Sequence, residues 1–218
     1  MARWFIARHG ETVFNAAGRM QGDVLHTPLT RAGFAQAEAM GEALRRRLGP
    51  KPKVDMWASD TGRALQTLAV IAEHLELDWH EARTDSRLAE VGIGAWGERY
   101  YRDVAAERGR IIDPETGLFC VRPPGGESYA EVAERLRSWI DDTAAEAGDR
   151  LIVMHGMSSR VLRGILTAAE QWTPCGVPVG YGVPQGNLVE IEEGAELVLP
   201  AREADGEGGQ AKPGGGAY

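Results

Sequence analysis

The sequence predicts an α/β fold organised around a mostly parallel β-sheet. An apolar run of strand length occurs at residues 4–7, 54–58 and 151–154, and each run is followed by a short polar loop and a helix. Strands that alternate with helices in this order form a parallel sheet with helices packed against it. The run at 151–154 has no polar residue, which is typical of a strand buried on both faces.

The helices between the strands have recognisable boundaries. Thr30 is a typical N-cap, and Gly49 and Pro50 end the helix that follows it. Ser128 and Glu131 form a capping box at the start of a later helix. The helices are predicted at residues 31–48, 63–75, 100–108 and 129–148, and from residue 158 or 159 onward.

The remaining segments are predicted to be irregular or to form a late hairpin. Residues 113–126 and 171–185 are rich in glycine and proline, and we interpret them as a surface excursion and a loop. The apolar runs at 188–191 and 197–199 are predicted to be two strands joined by a turn at Glu193 and Gly194.

Length and composition indicate one globular domain. The chain has 218 residues, of which 43% are hydrophobic and 26% charged, enough for a substantial core. We assign this domain to residues 1–202. Residues 203–218 are mostly glycine, alanine and charged residues, and they cannot bury enough apolar surface to order themselves. We therefore predict a disordered C-terminal tail.

The formal net charge of -8 argues against nucleic acid as a partner. No stretch approaches the 18 apolar residues of a membrane-spanning helix, and the start of the chain has no long apolar segment. The two cysteines have no second cysteine or histidine at metal-ligand spacing, so the sequence does not indicate a zinc site. Two isolated cysteines favour a reducing compartment. We expect a cytoplasmic protein with no membrane partner. An acidic protein that binds an anion must do so with a local group of arginines.

Three strand ends carry the residues of a predicted phosphate site. Arg8 and His9 follow the first strand, the segment 59–63 with Arg63 follows the second, and His155 follows the third. The carboxyl ends of parallel strands lie on one edge of a sheet, where open α/β proteins bind their ligands. Guanidinium groups and helix N-termini at that edge would bind a phosphate.

His9 has two interpretations. A buried histidine at a strand end can be a purely structural residue. The neighbouring Arg8 and the second strand-end histidine, His155, favour a functional role for His9, because titratable groups cluster at functional sites. Histidine can act as a covalent nucleophile when it is neutral. Nearby arginines favour the neutral form by like-charge repulsion, and Arg8 and Arg63 would hold the phosphoryl oxygens with their planar forks.

Glu90 is the candidate for proton transfer, and His155 is a candidate ligand of the phosphoryl group or of a metal. Glu90 lies in a predicted irregular segment and could give a proton to a leaving alkoxide, although an ordinary loop glutamate is an equally good interpretation. His155 could donate to a phosphoryl oxygen or bind a metal. We expect no metal, because the chain lacks a His-x-x-x-His pair and two arginines would repel a cation.

At this point the motifs resemble a known family. The segment Arg8-His9-Gly10-Glu11-Thr12, with Asn15 three residues later, is similar to the signature of the histidine phosphatase superfamily, in its phosphoglycerate mutase-like branch. The resemblance covers roughly residues 2–192. Further motifs follow in the family's order: Gly18-Arg19-Met20-Gln21-Gly22, Pro28-Leu29-Thr30, Ser59-Asp60 with Arg63-Ala64, Leu88 with Glu90, Pro124-Gly125-Gly126-Glu127-Ser128, and His155-Gly156.

The resemblance implies a three-layer α/β/α sandwich and a single histidine phosphatase domain. It implies a phosphohistidine intermediate at His9, proton transfer by Glu90, and no requirement for a metal or other cofactor. The phosphate- and substrate-binding residues that we assign on this basis are Arg8, Asn15, Gln21, Gly22, Arg63, His155 and Gly156.

Two departures from the family pattern bear on the substrate. The segment from Gln21 to Pro28 is one residue longer than the common pattern and lacks its aspartate. Cofactor-dependent mutases resemble one another in an Asn-x-Phe-Thr-Gly-Trp stretch, in place of which this chain has residues 18–22. The second departure favours a phosphatase over a mutase.

The sequence thus supports one leading hypothesis and two alternatives. The leading hypothesis is a phosphomonoester hydrolase acting on a small phosphorylated metabolite, with that metabolite as the partner. The alternatives are a phosphoglycerate mutase and a phospholigand-binding protein with little catalysis. The oligomeric state stays open between a monomer and a homodimer.

Overall fold

The structure is a computed structural model that describes residues 2–200. The predicted tail at 203–218 lies outside the described residues, as do the last two residues of the domain that we assigned to 1–202.

The described chain contains a six-stranded mixed sheet and a separate two-stranded ribbon. Strand order in the large sheet is β3-β2-β4-β1-β7-β8; the first four are mutually parallel, and β7 and β8 form an antiparallel hairpin at one side. The predicted mostly parallel sheet and the late hairpin are confirmed. The strands are β1 Trp4–Arg8, β2 Val54–Ala58, β3 Arg83–Thr84, β4 Asp149–Met154, β5 Gln171–Trp172, β6 Val177–Pro178, β7 Leu188–Glu192 and β8 Ala195–Leu199, with β5 and β6 forming the ribbon.

The helices cover both faces of the sheet. They are α1 Val13–Ala17, α2 Arg31–Leu48, α3 Gly62–Leu75, α4 Tyr101–Arg108, α5 Tyr129–Asp142 and α6 Gly156–Leu166. Phe5 and Ala7 of β1 pack into one core cluster with α2 and α3, while Ile6 packs into a second cluster with α4, α5 and α6. Successive strand residues point to opposite faces, so one short strand contributes to both cores. This arrangement is the three-layer α/β/α sandwich that the resemblance implied.

The register of the central strands positions the site. β4 lies between β1 and β2, with Arg8 opposite Met154 and Ala58 opposite Val153. The residues that follow these strands therefore come out side by side at one edge of the sheet. The predicted convergence of three strand ends is confirmed.

Two helix boundaries differ from prediction by more than one residue. Helix α6 begins at Gly156, directly after His155, rather than at residue 158 or 159. Helix α5 ends at Asp142 rather than near residue 148. The guanidinium of Arg150 donates to the hydroxyl and to the carbonyl oxygen of Thr143, so this carbonyl has a side-chain partner in place of the backbone N–H of a further helical turn.

The segment 113–126 is only partly a surface excursion. Leu118 is fully buried and Phe119 is 6% exposed, and both belong to the core cluster on the α5 side of the sheet. The hydroxyl of Tyr129 accepts a hydrogen bond from the backbone N–H of Phe119 at 2.9 Å. Glycine and proline mark the turns at the ends of this segment correctly, but they do not reveal the apolar pair between them.

Within residues 2–200, none of the helices combines the length and the apolar character that a membrane crossing requires.

Candidate active site

A cavity of about 470 Å³ opens at the carboxyl edge of the parallel strands. It is bounded by the end of β1, the start of α6, and segments from the irregular regions around residues 112–119 and 182–189. Most of the predicted site residues line it: Arg8, His9, Asn15, Gln21, Gly22, Arg63, Glu90 and Gly156. His155 lies directly behind His9, with its side chain fully buried.

His9 is held in one tautomer. Its Nδ1 lies 2.7 Å from the carbonyl oxygen of Gly10, and since a carbonyl can only accept, Nδ1 carries the proton. The lone pair is then on Nε2. Burial lowers the pKa of His9 well below the ordinary histidine value, and the charges of Arg8 and Arg63 lower it further. The imidazole is therefore neutral with a free lone pair, which is the state that a nucleophile requires.

His155 packs against His9 with the ring centroids 5.2 Å apart. Neither of its ring nitrogens has a hydrogen-bond partner in the described chain. Its pKa is lowered well below the usual range by burial first, and then by the charge of Arg63. An unpartnered neutral imidazole is able to donate to a phosphoryl oxygen, so the geometry is compatible with the predicted role.

Arg8 reaches the site from the last position of β1. Burial lowers the pKa of its guanidinium, and its Nε is buried without a partner. A Cβ atom added to Gly156 would lie 3.2 Å from the central guanidinium carbon of Arg8. Glycine at position 156 therefore leaves room for Arg8 beside the start of α6.

Arg63 has a different arrangement from the one predicted. It is the second residue of α3 and is fully buried. Its Nη1 donates to the carbonyl of Val24 at 2.6 Å and its Nη2 to the carbonyl of Gly22 at 2.5 Å. Burial lowers the pKa of Arg63 to about 10. Its two terminal nitrogens fasten the loop at 22–27, and Nε is the donor without a partner.

Glu90 is bound to the N-terminus of α6. Its carboxylate accepts from the backbone N–H groups of Met157 at 3.1 Å and Ser158 at 2.8 Å, and from that of Val91 at 3.0 Å. Anions are stabilised at a helix N-terminus by the free N–H groups and the helix dipole. The sequence predicts that helix N-termini bind the phosphate, but in α6 two of these backbone N–H groups bind the carboxylate of Glu90 beside His155.

The loop that carries Glu90 is fixed from behind by an ion pair. Arg135 of α5 donates to the carbonyl of Glu90 at 3.1 Å and to both carboxylate oxygens of Glu127. Glu127 in turn accepts from the backbone N–H of Gly92 at 2.8 Å. The Glu127 of the predicted Pro-Gly-Gly-Glu-Ser motif thus supports the Glu90 loop.

Asn15 and Gln21 contribute amide groups to the cavity. The Oδ1 of Asn15 accepts from the backbone N–H of Thr12 at 3.1 Å. The Oε1 of Gln21 lies 2.9 Å from the hydroxyl groups of Thr12 and Thr27. Since both side-chain oxygens are occupied, the NH₂ groups are the donors left for a ligand.

Several cavity residues were not identified from sequence. The Nε2 of Gln185 donates to the backbone carbonyl of His9 at 3.0 Å, which links the 182–189 segment to the candidate nucleophile. Arg160 and Arg163 line the cavity from α6, and their spacing from Gly156 along a helix was the available signal. An apolar wall comes from Val91, Ile93, Tyr101, Ile112, Leu118, Phe119, Met157, Val183 and Val189.

Among residues 2–200, no group of three or more histidine, cysteine, aspartate or glutamate side chains is arranged to hold a metal ion.

Comparison with known proteins places the chain in a family. Residues 4–192 match the family model described as "Histidine phosphatase superfamily (branch 1)". A protein of Erwinia tasmaniensis named "Probable phosphoglycerate mutase GpmB" is 36% identical over 169 residues, covering 74% of this chain and 73% of the relative. The protein of the same name from Yersinia enterocolitica is 34% identical over 164 residues, covering 72% and 71%.

A solved structure shows the same fold. The mycobacterial glucosyl-3-phosphoglycerate phosphatase Rv2419c, in a complex with VO3, superposes with a TM-score of 0.71 at 26% sequence identity, covering 88% of this chain and 93% of that one. Residues 4–192, which match the family model, include His9, Arg63 and His155. The chain belongs to the histidine phosphatase superfamily, branch 1.

Proposed function

We propose that this protein is a phosphomonoester hydrolase that acts through a phosphohistidine at His9 on a small phosphorylated metabolite. The observation that carries the proposal is the state of His9: neutral, with Nδ1 fixed by the Gly10 carbonyl and the lone pair on Nε2, at the edge of a cavity with Arg8 and Arg63. Membership of the histidine phosphatase superfamily supports the same chemistry.

In the first step, Nε2 of His9 attacks phosphorus and the bond to the ester oxygen breaks. When a phosphate dianion is bound beside Glu90, like-charge repulsion favours the carboxylic acid form, which gives its proton to that oxygen, so that the product leaves as an alcohol. Arg8, through Nε, and His155 would hold the non-bridging oxygens as negative charge shifts onto them.

In the second step, water attacks the phosphohistidine. Glu90, now a carboxylate, takes a proton from the water as its oxygen bonds to phosphorus and the bond between phosphorus and Nε2 breaks. Inorganic phosphate leaves, and both His9 and Glu90 return to their starting protonation states. In these two steps His9 and Glu90 carry out all the bond changes and proton transfers, and no metal ion is needed.

The alternative is a phosphoglycerate mutase, and the names of the relatives from Erwinia and Yersinia favour it. In that reaction the phosphoryl group on His9 passes to the free hydroxyl of phosphoglycerate, and the resulting bisphosphoglycerate returns its other phosphoryl group to His9. Incubation with 2-phosphoglycerate, with and without the bisphosphorylated cofactor, separates the two reactions by product. A hydrolase releases inorganic phosphate and glycerate, whereas a mutase forms 3-phosphoglycerate.

The proposal is tested with His9→Ala, compared with His26→Ala at an exposed position, by release of inorganic phosphate from phenyl phosphate. We expect His9→Ala to lose at least about 10³-fold in kcat/KM, because the nucleophile is gone. His26→Ala should keep wild-type activity. Retained turnover in His9→Ala would rule out the mechanism, and tight phosphate binding without turnover in the wild type would instead favour a binding protein.

A further inference from the structure

Helix α6 presents a row of residues to the cavity beyond the phosphate end. Gly156, Arg160 and Arg163 all line the cavity, and their spacing of four and three places them on one helix face. Gly156 packs against the guanidinium of Arg8. Four residues of helix rise about 6 Å, so Arg160 lies roughly one turn away from the group that would bind the phosphate.

Arg160 is a fixed cation without an anionic partner. Its Nε donates to the carbonyl of Gly180 at 2.8 Å, and its Nη1 donates to the carbonyl of Thr116. None of the aspartates or glutamates within residues 2–200 forms an ion pair with it. Burial and the neighbouring charge of Arg163 lower the pKa of Arg160. A partly buried charge is costly unless it is paired, so the side chain is well suited to an anion.

Two other arginines that line the cavity have carboxylate partners, unlike Arg160. Arg163 is 2% exposed and donates through Nε and Nη2 to the two carboxylate oxygens of Glu196, at 3.1 and 2.8 Å. Arg19 lies 4.0 Å from a carboxylate oxygen of Glu98. Arg160 is therefore the arginine at this end of the cavity whose charge the described chain leaves uncompensated.

We propose that Arg160 binds a second anionic group, carried on the alcohol portion of the phosphomonoester. This inference rests on the proposed function and narrows its substrate class. The cavity of about 470 Å³ is in the range of sites that enclose a whole small-molecule ligand, so it has room for an alcohol portion that spans from His9 to Arg160. The anion would be a carboxylate, which a guanidinium binds by charge-assisted hydrogen bonds.

The test uses pairs of substrates that differ by one charge. The pairs are 3-carboxyphenyl with 3-carbamoylphenyl phosphate, and 4-carboxyphenyl with 4-carbamoylphenyl phosphate. Within each pair the two molecules have nearly the same size. We expect the wild type to prefer the carboxylate in at least one pair by about 10-fold or more in kcat/KM, the range of a charge-assisted hydrogen bond.

Variants test whether the preference for the carboxylate substrate depends on Arg160. In Arg160→Gln we expect it to fall to about 3-fold or less, even if the loss of contacts to Thr116 and Gly180 slows both substrates. Arg160→Lys should keep part of it. The control is Arg137→Gln, which removes one charge from an exposed site on α5 and should keep the full preference.

The outcomes separate this inference from the proposed function. A wild type that hydrolyses phenyl phosphate through His9 but shows no preference for either carboxylate overturns the second-anion site and leaves the hydrolase intact. An unchanged preference in Arg160→Gln also overturns it. A wild type that does not hydrolyse phenyl phosphate contradicts the proposed function itself.

Discussion

The two ends of the cavity are built differently. At the phosphate end, Arg8, His9 and His155 are fixed by neighbouring strands of the sheet, and Arg63 by the first turn of α3. At the far end, most of the wall comes from segments 112–119 and 182–189, which are irregular apart from the first residues of β7, and from the side of α6. Apart from Glu90, the groups proposed for the chemistry thus lie on or next to strands and helices, while those that would contact the rest of the substrate lie largely on loops.

The two ends are also connected. Arg160 donates to the carbonyl of Gly180 and Arg163 to that of Tyr181, which fastens the segment leading to Gln185. Gln185 then donates to the carbonyl of His9. A loop that contributes to the far wall therefore also supports the backbone of the proposed nucleophile.

The largest expected effect in this comparison concerns Glu90, which belongs to the phosphate end but lies on a loop. Loss of a general acid slows a reaction by about 10²- to 10⁴-fold when the leaving group is poor. We expect Glu90→Gln to show such a loss in kcat/KM on phenyl phosphate and a much smaller one on 4-nitrophenyl phosphate, whose phenolate leaves without protonation.

The control for this prediction is Glu134→Gln, at an exposed position of α5. It should leave the rates on both esters at the wild-type level. An equal loss on both esters in Glu90→Gln would mean that Glu90 supports the site without transferring a proton.

The second prediction concerns the buried histidines of the phosphate end. The folded-state pKa values of His9 and His155 are lowered, so below about pH 6.5 the unfolded chain takes up protons that the folded chain excludes. Stability is thus fully present above that pH and is lost as the pH falls. The free energy of unfolding should fall by about 1.4 kcal/mol per histidine for each pH unit, until the folded-state values are reached.

Urea unfolding between pH 7 and pH 5 measures this slope. In a variant with His9→Gln and His155→Gln, we expect a flatter dependence of the free energy of unfolding on pH. His80→Gln, at an exposed position, should keep the wild-type slope. The same slope in all three proteins would show that the two buried histidines do not set the pH dependence.

The smallest expected effect tests the connection between the two ends. Gln185→Ala removes the hydrogen bond to the His9 carbonyl, a contact worth about 0.5–1.5 kcal/mol. We expect kcat on phenyl phosphate to fall by about 2- to 10-fold, because the backbone of the nucleophile is less well fixed. KM should change little, and the thermal unfolding midpoint should stay within about 2 °C of the wild type.

Gln171→Ala, at an exposed position of the same region, is the matched control and should keep the wild-type kcat. If Gln185→Ala also keeps it, the far-end loop does not support the nucleophile.

Much of the fold and the phosphate end could be predicted because short-range patterns encode them. The apolar run of β4 and the cap at Thr30 are local signals, and the parallel order of strands follows from their alternation with helices. Once that order is known, His9 and His155 must emerge at the same edge. The family motifs then singled out Glu90, whose position in an irregular segment carried no information of its own.

Most of the details that the sequence did not predict depend on side-chain contacts that local patterns do not show. The end of α5 coincides with the contact between Thr143 and Arg150, and the burial of Leu118 and Phe119 depends on the surface that α4 and α5 offer them. The terminal nitrogens of Arg63 bind the loop at 22–27, an arrangement that no spacing predicts because it depends on the path of that loop.

The segment Arg8-His9-Gly10-Glu11-Thr12 shows which features depend on the sequence alone and which depend on the tertiary structure. The sequence alone determined that a cation and a nucleophile follow a buried strand, since the periodicity of burial and the residue types are local properties. Only the tertiary structure decided that Gly10 fixes the tautomer of His9, that Glu11 points its carboxylate to the Thr30 hydroxyl at 2.6 Å, and that Arg160 stands one turn beyond Gly156 without a carboxylate partner in the described chain. These features arise from side chains and loops packing against one another, and that packing is fixed only when the whole chain is folded.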